Sequence, residues 1–285
     1  MREVRAGELS VGGVRSPLIE AGPGESSEAV VFVHGNPGSS QDWGDLVAAV
    51  GEFGRAIAFD LPGFGHADKP RTFDYRIEGY AEFIALALQQ LGVKRAHLVL
   101  HDFGGAFGFA WAASAPDSFA SALLFNTGSV SMRKWHTMAR IWRIPVVGEI
   151  AMALTNRAAW RRAMQAGDSR PLPPRFVDRM YDDFDSGTKH AVLNLYRATD
   201  VPYPGAKEMA GKLSALDRPA LIVWGAQDPF IGRKGAEALR RDLFPSAETV
   251  MLEQSGHWPF VDDPEGACPP ALRFLRAQLR AGAPV

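Results

Sequence analysis

Cysteine is nearly absent: Cys268 is the only one in 285 residues. No intramolecular disulfide can form, which fits a reducing compartment. An excess of charge of either sign is also missing, with 31 Lys and Arg against 32 Asp and Glu and a formal net charge of -1. No overall field recruits nucleic acid or an anionic membrane, so neither is expected as a partner. No apolar run approaches the roughly 20 residues that span a bilayer. Met1 to Ser10 mix charges of both signs without an apolar stretch, unlike a secretory leader. A cytoplasmic location is the expectation that follows. Internal repeats and low-complexity tracts are lacking too. What is present is an ordinary globular composition, 46% apolar and 22% charged, enough for one large domain or two small ones.

Short apolar runs at 29–33, 56–59, 96–101 and 122–126 alternate with amphipathic helical spacing over 77–91 and 105–114. Runs apolar on both faces suit a parallel sheet covered by helices on each side. The βαβα alternation predicts an α/β fold. The pattern resumes with strands at 220–224 and 249–252 and helices at 233–241 and 265–278. Between 129 and 212 no strand pattern is evident. Helical stretches there, such as 150–164 and 176–184, are punctuated by Pro171, Pro173 and Pro174. The expected organisation is a core half over 1–128, a helical cap over 129–212 and a second core half over 213–285.

Leu98-Val99-Leu100-His101-Asp102-Phe103-Gly104-Gly105 is an apolar strand with a polar tip and small residues opening a helix. That is the layout of a nucleophile elbow, where a tight strand-to-helix turn exposes one side chain. Here the side chain is the carboxylate of Asp102, and Leu100 stands where a small residue is usual. An aspartate at a helix start is also an ordinary N-cap, so this motif alone leaves both roles open. Val33-His34-Gly35-Asn36-Pro37-Gly38 follows another strand. The backbone N–H groups of Asn36 and Phe103 are the expected pair of oxyanion donors. Asp228 sits just past a late strand and His257 just past the last one. The order nucleophile, acid, histidine is that of a triad in which the acid orients an imidazole that activates water. One of seven histidines is weak evidence; four motifs in order, each at a strand's C-terminal end, are strong. A carboxylate nucleophile suits displacement at saturated carbon, giving an alkyl ester of Asp102 that His257 and water hydrolyse. No metal-ligand spacing is present, His101 reads as a packing residue or a support behind the site and not as a ligand, and neither metal nor organic cofactor is expected.

With these motifs the chain resembles the α/β-hydrolase superfamily, and within it the epoxide hydrolase and haloalkane dehalogenase branch, which places aspartate at the elbow. Asp60-Leu61-Pro62-Gly63-Phe64-Gly65-His66-Ala67-Asp68-Lys69-Pro70 is similar to the loop after the fourth strand in that branch. The resemblance covers both core halves. It implies a mostly parallel, doubly wound sheet with an inserted helical cap, acting on a small apolar organic substrate and water.

The leaving group is less determined. Ala191-Val192-Leu193-Asn194-Leu195-Tyr196-Arg197 resembles the cap segment that supplies a ring-opening tyrosine in epoxide hydrolases, which makes Tyr196 the expected proton donor. A second donor would be Tyr181 or Tyr203. His-Gly-Asn-Pro at 34–37 and the bulky Leu100 are more like haloalkane dehalogenases. Against that, Phe103 lacks the indole N–H which that family places after the nucleophile, leaving Trp135, Trp142 or Trp160 to compensate. Phe103 and Ala106 also speak against a carboxylate-binding, fluoroacetate-type site. Asn126 stands where some dehalogenases carry the triad acid, and an amide cannot fill that role, which returns it to Asp228. Epoxide hydrolysis is the first expectation, dehalogenation the alternative, and a non-catalytic binding protein on the same scaffold the third. Spacing carries no information on oligomeric state.

Overall fold

The computed structural model describes residues 3–128, 134–165 and 170–281. Eight strands form one sheet: β1 (Arg5–Val11), β2 (Val14–Ala21), β3 (Glu28–Val33), β4 (Arg55–Phe59), β5 (Arg95–Asp102), β6 (Phe119–Thr127), β7 (Ala220–Gly225) and β8 (Glu248–Leu252). Their order is β1-β2-β4-β3-β5-β6-β7-β8, antiparallel up to the β2–β4 pair and parallel beyond it. All six strands expected from apolar runs are present. β4, β6 and β7 are buried at every residue, as strands covered on both faces must be. The hairpin β1–β2 was not among the expected strands. It turns at Gly12 and Gly13, whose φ values of 57° and 77° favour glycine.

The helices are α1 (Gly44–Val50), α2 (Ile77–Gln90), α3 (Phe103–Ser114), α4 (Thr137–Trp142), α5 (Val147–Leu154), α6 (Arg157–Met164), α7 (Pro174–Asp182), α8 (Ser186–Ala198), α9 (Ala206–Leu216), α10 (Lys234–Asp242), α11 (Pro259–Asp262) and α12 (Pro264–Ala281). Between β6 and β7 the described residues form helices α4 to α9 and no strand. The single helix expected over 150–164 is two, α5 and α6. Asn156 accepts a hydrogen bond from the Ala159 amide and so caps a new helix instead of continuing the old one. The last helix of the segment, α9, rests against α3 and α10.

One feature of this topology locates the site. From β3 the chain moves outward to β4, then returns to the other side of β3 to form β5. The loops leaving β3 and β5 therefore diverge, and a crevice opens between their C-terminal ends, where open parallel sheets bind ligands. Asn36 lies on the loop after β3, and Asp102 is the last residue of β5, where α3 follows at once.

Candidate active site

Asp102 ends β5 with φ 50° and ψ −124°, a conformation costly for any residue with a Cβ. Neighbours hold it there. Thr127 Oγ1 donates to the Asp102 carbonyl at 2.6 Å, and the Gly128 amide donates to the same oxygen at 3.3 Å. Close packing needs the small residues that follow. A Cβ on Gly104 would lie 2.4 Å from the Val33 carbonyl oxygen, and one on Gly105 1.7 Å from Thr127 Oγ1. On the facing loop a Cβ on Gly35 would lie 2.3 Å from Asp102 Cβ. That approach lets the Asn36 amide donate to Asp102 Oδ1 at 2.8 Å. Phe103 opens α3, so its N–H is among the first-turn donors that a helix leaves unpaired.

His257 is buried between two carboxylates. Its Nδ1 is 2.7 Å from Asp228 Oδ2 and its Nε2 is 3.5 Å from Asp102 Oδ2. Asp228 is itself fully engaged: Oδ1 accepts from the Phe230 and Ile231 amides at 2.7 and 3.1 Å, and Oδ2 accepts from Asn126 Nδ2 at 2.8 Å. Asn126, at φ 31°, is fixed in turn by the Gly225 amide and carbonyl. The amide thus stands beside the acid, holding its carboxylate. His101 Nε2 lies 2.8 Å from the His257 carbonyl oxygen, to which it donates, fixing the backbone that carries the imidazole.

The charges follow from this geometry. Burial opposes a cation at His257, but Asp228 and Asp102 outweigh it and raise the imidazole to about 10. Burial likewise opposes the Asp102 and Asp228 carboxylates, and His257 together with the hydrogen bonds holds both below their ordinary value. His101 is pushed down to about 3 by burial and then by the neighbouring His257, so it is neutral.

Asp102 and Phe103 line a largely apolar cavity together with Trp135, His136, Tyr196 and Phe230. Tyr196, on α8, is buried edge-on to Phe103 and Trp135, with ring centroids 5.1 and 5.0 Å away. Burial, and then the Asp102 charge, push its phenol well above the ordinary value, with the Asn36 side chain pulling the other way. It is a neutral O–H. Its oxygen lies 3.2 Å from His136 Nε2. His136 caps α4 by accepting the Ala139 amide on Nδ1 at 3.3 Å. Burial lowers its proton affinity, so the neutral ring carries its hydrogen on Nε2 and donates it to Tyr196. The hydrogen of Tyr196 is left free for the cavity.

Sequence reasoning missed His136; its only local signal is a polar residue just before a short helix. Tyr203 also lines the cavity, but its hydroxyl donates to Glu78 Oε1 at 2.5 Å. Tyr181 is placed elsewhere, against Trp160 and beneath the Arg157 guanidinium. Of the three tryptophans singled out, Trp135 alone lines the cavity, with its indole N–H buried and unpartnered among the described residues. Trp142 packs on Tyr196 and Trp160 on Phe184. Among the described residues no group of three His, Cys, Asp or Glu is placed to hold a metal.

A family model described as alpha/beta hydrolase fold matches residues 28–264. The chain is 28% identical over 289 residues to a cis-3-alkyl-4-alkyloxetan-2-one decarboxylase of Xanthomonas campestris pv. campestris, covering 92% of this chain and 93% of that protein. It is 32% identical over 159 residues to a haloalkane dehalogenase of Agrobacterium fabrum, 54% of this chain and 51% of the relative. Epoxide hydrolase A from Mycobacterium thermoresistibile superposes with a TM-score of 0.81 at 21% identity, covering 96% of this chain and 98% of that one.

Proposed function

The chain belongs to the alpha/beta hydrolase fold family, and from that membership we propose that it opens an epoxide to a diol through an alkyl ester on Asp102. An Asp102 oxygen attacks a ring carbon. The C–O bond breaks with its electrons on the ring oxygen, which takes the Tyr196 proton. Esterification removes the Asp102 charge, so His257 loses one of the two carboxylates that kept it cationic and releases its proton, restoring the Tyr196 phenol. Neutral His257 then takes a proton from water, and the hydroxide attacks the Asp102 carboxyl carbon. The oxyanion forms on Asp102 beside the Asn36 and Phe103 amides. Collapse expels the diol oxygen, which takes the remaining carboxyl proton. Carboxylate, imidazolium and phenol are all regenerated.

The observation that carries this reading is the buried, protonated Tyr196 in the wall of the Asp102 cavity, its oxygen already receiving a hydrogen bond from His136. A departing alkoxide needs such a proton; a halide does not. Dehalogenation is the second reading, favoured by the unpartnered indole N–H of Trp135 in the same wall. The relative whose name records an oxetan-2-one substrate adds a third substrate to test. Styrene oxide, bromobutane and a cis-dialkyl oxetan-2-one, followed for diol, bromide and carbon dioxide, separate the three. Diol is the expected product, and His257→Gln should hold the mass of the epoxide on the peptide containing Asp102. Bromide without diol moves the assignment to dehalogenation. Absence of any adduct on that peptide rejects the covalent route.

A further inference from the structure

Seven large apolar side chains are exposed among the described residues, and six of them, all except Leu86, fall between Met138 and Leu154. They occupy α4, α5 and the turn between them. In α5 the residues facing inward are Gly148 and Met152. Val147, Ile150 and Leu154, spaced three and four apart, share the opposite face, with Ile150 53% and Leu154 72% exposed. The helix is apolar on both faces, a pattern normal only for helices covered on all sides. At the tip of the turn Val146 is 67% exposed and sits at φ 67°, where a β-branched residue is strained. Surfaces of this kind mark contact sites.

The surrounding charge says what the contact is. From Lys134 to Met164 there are six basic residues and one acid, Glu149. Glu149 is paired with Arg197. Arg143, Arg157 and Arg161 have carboxylate partners. Lys134, Arg140 and Arg162 are exposed and lack an ion-pair partner among the described residues. An apolar face with the unpaired cation Arg140 on its own helix α4, and Lys134 three residues before that helix, complements an anionic lipid surface, where apolar side chains reach the acyl boundary and cations meet the headgroups. A second copy docked face to face would bring the same cations together. No helix of the described residues is long and apolar enough to cross a membrane, and α5, at eight residues, would lie in the interface.

We propose that the α4–α5 face docks on anionic phospholipid bilayers. Trp135 and His136 line the cavity and lead directly into α4. Where the reaction is the epoxide opening proposed above, docking sets the cavity wall beside the phase into which apolar epoxides partition. The docking itself does not depend on that reaction.

The full chain is tested by sedimentation with vesicles of phosphatidylcholine alone, or of phosphatidylcholine and phosphatidylglycerol in equal parts. Binding to the anionic vesicles is expected to be at least about tenfold tighter than to neutral ones and to fade as salt approaches about 1 M. Ile150→Asp with Leu154→Asp should weaken binding about tenfold or more at an unchanged melting temperature. Lys134→Glu with Arg140→Glu should remove the preference for anionic vesicles. Failure of the wild-type chain to bind anionic vesicles overturns the proposal, as does undiminished binding by both variants. A dimer in analytical ultracentrifugation that the double aspartate variant dissociates, without vesicle binding, gives the face to a second copy and equally overturns it. Diol formation from a water-soluble epoxide should be the same in all these variants, so this result and the fate of the epoxide assignment are read separately.

Discussion

At the scale of single residues, the unusual feature is an imidazole held between two buried carboxylates. His257 is raised from 6.5 to about 10. A group whose folded value is raised contributes stability that is fully present below its unfolded value and is lost as pH climbs through the folded one. The melting temperature should therefore fall between pH 6.5 and about 10. Asp102→Asn removes one of the raising charges, so that fall should end at a lower pH and be smaller in total in the variant; falls of equal extent in thermal melts of both proteins would contradict the assignment. Esterification of Asp102 should have a related effect on catalysis. With that charge gone, ester hydrolysis needs neutral His257 and should speed up with rising pH through a value well below that of the free enzyme, as single-turnover kinetics would record. In the proposed reaction Tyr196 acts earlier. Tyr196→Phe should slow alkylation by about 10²-fold or more and leave hydrolysis of a preformed ester nearly unchanged. His136→Leu should slow the same step less, and His136→Gln should recover part of it, because an amide N–H can still donate to Tyr196.

At the scale of elements, the elbow joins β5 to α3 through backbone contacts too close for side chains. Gly104→Ala would set a Cβ against the carbonyl oxygens of Val33 and His34, at 2.4 and 2.7 Å. Neither oxygen can move without shifting β3, so we expect a loss of about 1–3 kcal/mol in urea unfolding and a displaced Asp102 that no longer forms an adduct. The glycine pair was legible in the sequence because such turns have a local signature. The β1–β2 hairpin also has one, Gly12-Gly13 between alternating Leu9, Val11 and Val14, although most of its exposed positions are polar and dilute the pattern. Helix ends between β6 and β7 were less legible. Apolar spacing runs on across Thr155 and Asn156, and the break between α5 and α6 depends on whether Asn156 turns its side chain onto the Ala159 amide.

At the scale of the whole molecule, side chains from the helices between β6 and β7 are tied to loops at the sheet's C-terminal edge. Arg179 of α7 donates to Ser39 Oγ at 2.9 Å and to Asp42 Oδ1 at 2.6 Å, and Lys69 reaches Asp185 at 2.8 Å. Burial raises the Asp42 carboxyl above 3.8, with Arg179 pulling it back. Arg179→Met leaves that carboxylate buried and unpaired, at a cost of about 3 kcal/mol near neutral pH. A carboxyl with a raised folded value loses stability as pH rises from its unfolded value through the folded one. The deficit of the variant should thus be small in acid and grow with pH, measured by urea unfolding across the range. Charge is also distributed at this scale. The net value of -1 hides a basic stretch from Lys134 to Met164; acids outside it pair with Arg143, Arg157 and Arg161, and Lys134, Arg140 and Arg162 have no ion-pair partner among the described residues.

Local order was enough to place Asn36, Asp102, Asp228 and His257 at strand ends. A strand's apolar period and the turn residues after it are written in consecutive positions, and a parallel sheet brings those ends to one edge. The partners of the intervening helices are another matter. Helical spacing tells which residues share a face and leaves open what the face meets. Only packing in three dimensions set His136 against Tyr196, kept Tyr181 away from the cavity, left the Trp135 N–H without a partner among the described residues, and turned Ile150 and Leu154 outward.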